Sequence, residues 1–241
     1  MNALSGLFDR IAVINLPYRT DRRAEMAGQL VRVGLNLDAP PVVLFEAVRP
    51  AEAEAFPSVG ARGCFLSHLG VLRAARADRI DRLLILEDDC DFAEGSTEAL
   101  LSAWRGLDAS GPWDICYGGY RLPGEPRQGP EGWTLLSNTD PVSTTHCIGF
   151  SAAAIQAALP YLEAMLNRPA GDAAGGPMHV DGAYTWLRRD HPKLRTVAAI
   201  PPIAFQRPSR TDIHDLRWFD RLSIFRPAGS ALRRAKARRS H

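Results

Sequence analysis

The sequence predicts an α/β fold, a mostly parallel central sheet flanked by helices. Three observations predict it. Short apolar runs alternate along the chain with segments of helical periodicity. Two of these runs, Ile11 to Ile14 and Leu83 to Leu86, are apolar throughout, the pattern of strands buried on both faces. The chain also has 241 residues, 46% hydrophobic and 23% charged, enough to bury a sizeable core and unlike a disordered segment.

Arg10 to Asn15 reads as the first strand, stopped by Pro17. Thr20 is placed to cap a helix over Asp21 to Val33, where Met26, Leu30 and Val33 share a face and Gly34 ends the run. Pro41 to Glu46 is a second strand. Gly63 to Ala77 reads as a helix with Phe65, Leu66, Leu69 and Leu72 along one face. Leu83 to Leu86 is the clearest buried strand, and Ser96 to Leu107 is helical. Trp113 to Tyr117 and Thr144 to Phe150 are strand-like. The Gly- and Pro-rich stretches 121–132 and 167–178 read as loops, the second as a mobile lid candidate. Ser151 can cap a helix through Leu166, a short helix covers Asp181 to Arg189, and Leu194 to Ile200 is the last strand.

Charge and composition exclude several classes. The net charge is +2, but Arg217 to His241 holds seven Arg and one Lys against one Asp. An acidic body of net −5 therefore precedes a basic tail of +7. Such a body lacks the basic face that broad nucleic-acid binding needs. No run of 18 apolar residues suggests a spanning helix, and residues 1–8 lack the basic-then-apolar pattern of a secretory signal, so a cytoplasmic protein is expected. Cys64, Cys90, Cys116 and Cys147 form no CxxC pair and read as small buried residues. The division expected is a single domain over 1–226 and a basic tail over 227–241. The aromatic and basic residues of Arg217 to His241, among them Trp218, Phe219 and Phe225, suit the surface of an anionic membrane.

The sharpest chemical signal is Glu87-Asp88-Asp89, directly after Leu83-Leu-Ile-Leu86. In open α/β sheets ligands gather outside the carboxyl ends of strands. Extended geometry would send Glu87 and Asp89 to one side and Asp88 to the other. Paired carboxylates suit a hard divalent cation, which often shares its ligands with a phosphate. The alternative is a solvated turn, but three adjacent like charges repel unless a cation or arginines sit among them. Asn15, Arg19, Arg22 and Arg23 follow the first strand and belong to the same sheet edge. There Asn can bond a base or ribose, and Arg can clamp phosphate or instead pair with acids on the helix surface. Gly60 and Gly63 allow close backbone approach at a helix start, with Ser67 and His68 in its first turns. His68 reads either as a ligand contact or as a satisfied helix histidine.

Taken in order, "VINLPYRTDRR", "GARGCFLSHLGVLRAA" and "LLILEDDCDF" resemble glycosyltransferase family 25, over roughly the first 95 residues, with weaker echoes in "THCIGFSAAAI" and "HVDGAYTWL". The resemblance implies a GT-A-like, Rossmann-type sandwich, a UDP-sugar donor and Mn²⁺ (or Mg²⁺). It also implies transfer of galactose or glucose, with inversion, to a glycan or lipid-linked acceptor, as in lipopolysaccharide or other cell-surface glycan synthesis. On it, Asp89 is the first metal ligand and Glu87 a ligand or ribose contact. Asn15, Arg19, Arg22, Arg23, Ser67, His68, Glu87 and Asp88 are donor-site residues. Asp181 is the matching candidate for the catalytic base, a position that suits a helix N-cap equally. Gln206 and residues 208–213 resemble the family's return to the donor site. His146, His179 and His214 are candidates for a third metal ligand. Two other readings compete: a metal-dependent phosphohydrolase or nucleotidyltransferase using the same acids, and a non-catalytic nucleotide-sugar binder.

Overall fold

The structure is a computed structural model that describes residues 3–122 and 132–207. A seven-stranded sheet forms its centre, in the order β2-β1-β3-β7-β5-β8-β6. Its strands are β1 (Arg10–Asn15), β2 (Val42–Glu46), β3 (Arg82–Glu87), β5 (Ile115–Arg121), β6 (Gly132–Leu135), β7 (Ser143–Ser151) and β8 (Thr196–Ile200). A two-stranded ribbon, β4 (Cys90–Phe92) with β9 (Ala204–Gln206), stands beside it. The helices are α1 (Ala3–Leu7), α2 (Thr20–Arg32), α3 (Val59–Ala77), α4 (Thr97–Ala109), α5 (Ala152–Leu166) and α6 (Val180–Asp190).

β2, β1, β3, β5 and β8 run one way; β7 and β6 run against them. The mostly parallel sheet expected from the sequence is therefore present, with an antiparallel strand at its middle. Antiparallel β7 puts its own start, Ser143 to His146, beside the end of β3, since Cys147 pairs with Leu86. Strand alternation divides the core in two. Ala12, Ile14, Leu83, Ile85, Ile148 and Phe150 pack with α3, α5 and α6. Ile11, Val13, Leu84, Leu86 and Cys147 pack with α1, α2 and α4. Burying aliphatic side chains on both faces contributes about 1.5–3 kcal/mol for each one fully buried.

Boundaries differ from the sequence reading where side chains decide them. α2 begins at Thr20 itself, with Arg19 rather than Thr20 at the N-cap. α3 starts four residues earlier than predicted because the Ser58 hydroxyl accepts the Ala61 amide. Ser67 and His68 therefore lie in mid-helix, not in its first turns. Ser151 caps α5 as predicted, accepting the Ala154 amide. Short β4, β6, β9 and α1 carry too few residues to show a period, and periodicity missed them. The 167–178 loop holds no strand or helix. It is tied down by Arg168, whose guanidinium donates to the Ala174 and Gly175 carbonyls at 2.6 and 3.0 Å. Most of the 121–132 loop, residues 208–213, His214 and the basic tail lie outside the described residues.

Candidate functional site

A cleft of about 240 Å³ opens at the carboxyl ends of β1 and β3. Its lining includes Ile14, Arg22, Val48, Gly60, Gly63, Cys64, Ser67, His68, Glu87, Asp88 and Asp89. Parallel β1, β2 and β3 all end on this edge, so the loops that follow them meet there.

Strand alternation sorts the acids. Glu87 continues the Leu83–Ile85 row toward α3, and Asp88 continues the Leu84–Leu86 row toward α2. Asp88 is consumed there: Oδ2 accepts Asn15 Nδ2 at 2.7 Å and Oδ1 accepts Arg22 Nη1 at 2.9 Å. Both Arg22 and Asp88 are buried, so this pair anchors β1, α2 and the acidic turn to one another. Glu87 Oε1 accepts the Thr145 hydroxyl at 2.6 Å and lies 3.3 Å from His68 Nε2. Burial acts to raise the Glu87 carboxyl, but His68 and Thr145 outweigh it and hold the group below its ordinary value.

Asp89 differs from both. It lies in the turn between β3 and β4 and is 3% exposed. Its Oδ2 accepts Gln206 Nε2 at 3.1 Å, while its Oδ1 is buried with no partner. Burial, then the negative charge of Glu87, pushes its carboxyl up to about 7, against the pull of Arg22. A buried carboxylate oxygen without a donor is costly unless a cation meets it. The Asp89 carboxylate therefore fits a hard divalent ion, whereas Asp88 already spends one lone pair of each oxygen on Asn15 and Arg22.

The remaining expectations divide. Asn15 and Arg22, expected at the donor, both bond Asp88, and of the two Arg22 lines the cleft. Arg19 and Arg23 are absent from the lining of the cleft: Arg19 forks onto Asp21 at 3.0 and 2.9 Å, and Arg23 faces Asp38 at 3.4 Å on the exposed side. Ser67 lines the cleft, yet its hydroxyl donates to the Gly63 carbonyl at 2.6 Å and accepts the Val48 amide at 2.8 Å. It pins the β2–α3 connection to α3. His68 is fully buried between Glu87 and the Tyr184 hydroxyl, 3.2 Å from Nδ1. Asp181 sits in the first turn of α6, whose N-cap is His179. Its Oδ2 accepts the Thr144 amide at 3.1 Å and its Oδ1 the Gly182 amide at 2.7 Å. Thr144 has φ 69°, a strained left-handed conformation held in part by that bond. His146 is buried with neither ring nitrogen partnered, and burial keeps it neutral.

Sequence reasoning missed Cys64, Thr145 and Tyr184. Cys64 was read as a core residue, but it lines the cleft, one helical turn before His68. The i, i+4 spacing of Cys64 and His68 was the available signal. Among the described residues, the metal-ligating atoms of Cys64, His68 and Glu87 all lie within 4.8 Å of one another, so these three side chains can hold a metal ion. Burial, followed by the charges of Glu87, Asp89 and Asp181, pushes the Cys64 thiol well above the ordinary range. Thr145 and Tyr184 come from β7 and α6, far away in sequence, and carried no local signal.

No protein-family model matches the chain. It is 26% identical to procollagen galactosyltransferase 2 of Mus musculus over 127 aligned residues, 46% of this chain and 20% of that protein. The chain thus corresponds to about a fifth of that curated relative. Its fold is similar to the crystal structure of a glycosyltransferase involved in the glycosylation of the major capsid of PBCV-1. That superposition has a TM-score of 0.50 at 12% identity and covers 84% of this chain and 96% of the other. These similarities relate the chain to glycosyltransferases, in sequence over part of its length and in fold over most of it. The fold agrees with the GT-A-like sandwich expected.

Proposed function

We propose that the protein is an inverting hexosyltransferase of the family 25 type, moving galactose or glucose from a UDP-sugar to a glycan or lipid-linked acceptor in cell-surface glycan synthesis. The observation that carries this reading is the buried, unpartnered Oδ1 of Asp89, beside Glu87 at the carboxyl end of β3. Relatedness to glycosyltransferases supports the sugar-transfer chemistry.

Asp89, with Glu87, would hold a divalent cation, Mn²⁺ or Mg²⁺, which when bound supplies Lewis-acid neutralisation of a departing diphosphate. The chain's own residues do the rest. Asn15 and Arg22 fix Asp88, and so fix the acidic turn against the first strand. Gln206 and Arg22 orient Asp89, while Thr145 and His68 hold Glu87 ionised. Asp181 is the proposed base: it takes the acceptor hydroxyl proton as that oxygen bonds to the anomeric carbon and the bond from that carbon to the diphosphate breaks. Its two backbone amide bonds hold the carboxylate in one orientation without covering both lone pairs of each oxygen.

A thermal-shift panel of nucleotide sugars, with and without Mn²⁺, tests the proposal. A binding ligand stabilises in proportion to the logarithm of its concentration over Kd. One UDP-hexose should raise the midpoint when Mn²⁺ is present and do little without it. A flat response to every nucleotide sugar, or release of free phosphate with no sugar transferred, would overturn the assignment.

A further inference from the structure

The cleft contains a second donor set, chemically unlike the carboxylates of Asp89 and Glu87. Cys64 and His68 are four residues apart on α3, so they share one face of the helix. That face meets the end of β3 at Glu87, bringing sulfur, nitrogen and oxygen donors within 4.8 Å of one another. All three residues line the cleft, so a fourth coordination position would open onto it.

The surroundings suit ligation. His68 Nδ1 lies 3.2 Å from the Tyr184 hydroxyl, which is buried and can rotate between donating and accepting. When it accepts from Nδ1–H, the Nε2 lone pair is turned toward Glu87, the arrangement by which an outer partner sets the tautomer of a ligating histidine. The Thr145 hydroxyl occupies Glu87 Oε1 and steadies the carboxylate. A thiolate among three ligands selects Zn²⁺ or Co²⁺ over Mn²⁺ and Mg²⁺, which prefer oxygen.

We propose that Cys64, His68 and Glu87 form a three-ligand site for a thiophilic divalent cation of the zinc class, and that its occupation opposes binding of a hard cation by Asp89 and Glu87. On ligation the Cys64 thiol gives its proton to solvent, and His68 keeps a single proton, on Nδ1. The site itself stands on the geometry of the three side chains. The antagonism follows because Glu87 belongs to both donor sets, and it rests on the transferase reading.

Titration of the metal-free full-length protein with Co²⁺, followed by absorption, tests the site without any sugar donor. One equivalent should produce a thiolate-to-cobalt charge-transfer band that Zn²⁺ then removes. Cys64→Ser should abolish the band and weaken Zn²⁺ binding about 100-fold or more, whereas Cys116→Ala, with circular dichroism confirming the fold, should keep it. Absence of the band, or its survival in Cys64→Ser, overturns the site. Zn²⁺ should also cancel the Mn²⁺-dependent stabilisation by UDP-hexose, at concentrations about 100-fold higher in Cys64→Ser than in wild type. Indifference of that response to Zn²⁺ overturns the antagonism. If no nucleotide sugar stabilises the protein, the transferase reading and the antagonism fall together, and the cobalt band still decides the site.

Discussion

The half of the molecule built on parallel β1, β2 and β3, followed by β4, and the half from β5 to β9, which holds the sheet's antiparallel strands β6 and β7, serve the cleft in different ways. In the first half the acids are contiguous in sequence, although Asn15 and Arg22 reach Asp88 from 73 and 66 residues away. Asn15 ends β1, Glu87 ends β3, and the acids follow within two residues. In the second half no segment builds a site by itself. Thr145 reaches Glu87 from 58 residues away and Gln206 reaches Asp89 from 117 residues away. Tyr184 reaches His68 across 116 residues. The parallel half therefore supplies the charge, and the antiparallel half joins Asn15, Arg22 and His68 in aiming it. The reversed direction of β7 makes this possible, because it returns the chain to the end of β3 that the parallel strands share.

This division can be attacked in order of expected effect. The proposed base is the exception, a reacting group from the antiparallel half. Asp181→Asn should lower donor turnover by about 10²–10⁴-fold with donor binding kept. Near-normal turnover would remove Asp181 from the chemistry and leave the second half purely supportive. Asp89→Asn, in the parallel half, should cost about 10²–10³-fold in turnover and abolish the Mn²⁺ dependence of donor binding. Retained metal dependence would show that Asp89 is not a ligand.

The pH dependence of stability is a second measure of the buried charge. The folded carboxyl of Asp89 titrates near 7, above its ordinary 3.8, so between those values the folded state holds a proton that the unfolded state has lost. Raising pH across that window therefore destabilises the metal-free wild type relative to Asp89→Asn, with a slope of at most about 1.4 kcal/mol per pH unit. Urea unfolding of both proteins between pH 4 and pH 8 measures it, and parallel profiles would contradict the shift.

Smaller effects probe how the second half aims. A Cβ on Gly119 would lie 2.2 Å from His146 Nε2 and 2.6 Å from the Ala204 carbonyl. Gly119→Ala should destabilise by about 2 kcal/mol. It should also displace β9, loosening Gln206 from Asp89, which would appear as weaker Mn²⁺-dependent donor binding. Thr145→Val removes one hydrogen bond from Glu87 and should cost about 1 kcal/mol, or about fivefold in turnover. If Thr145→Val matches the loss in Asp89→Asn, the distinction between supplying and aiming charge is wrong.

Much of the framework was legible in the chain. Every strand of five or more residues and every helix but α1 was marked by an apolar period or a breaker. Glu87-Asp88-Asp89 was marked because three acids directly after an aliphatic strand have few places to go except a ligand edge. The roles within the triplet were less legible. Alternation correctly separated Glu87 from Asp88, but the turn at Asp89 broke the extended geometry that alternation assumes. Arg19 and Arg23 looked like phosphate clamps from composition. Pairing with surface acids was the other reading the sequence offered, and the folded surface decides for it, with Asp21 and Asp38 as the partners.

By itself the sequence determined the α/β class, the parallel edge and the acids placed on it. These follow from short-range periodicity and from the alternation of side chains along a strand, which are properties of neighbouring residues. Tertiary structure decided which acid keeps an unpartnered oxygen, which hydroxyls are consumed in the scaffold, and that Cys64 faces the cleft beside His68 and Glu87. Those outcomes depend on which distant segments pack together. Strand order and direction settle that packing, and no local pattern encodes the direction of β7.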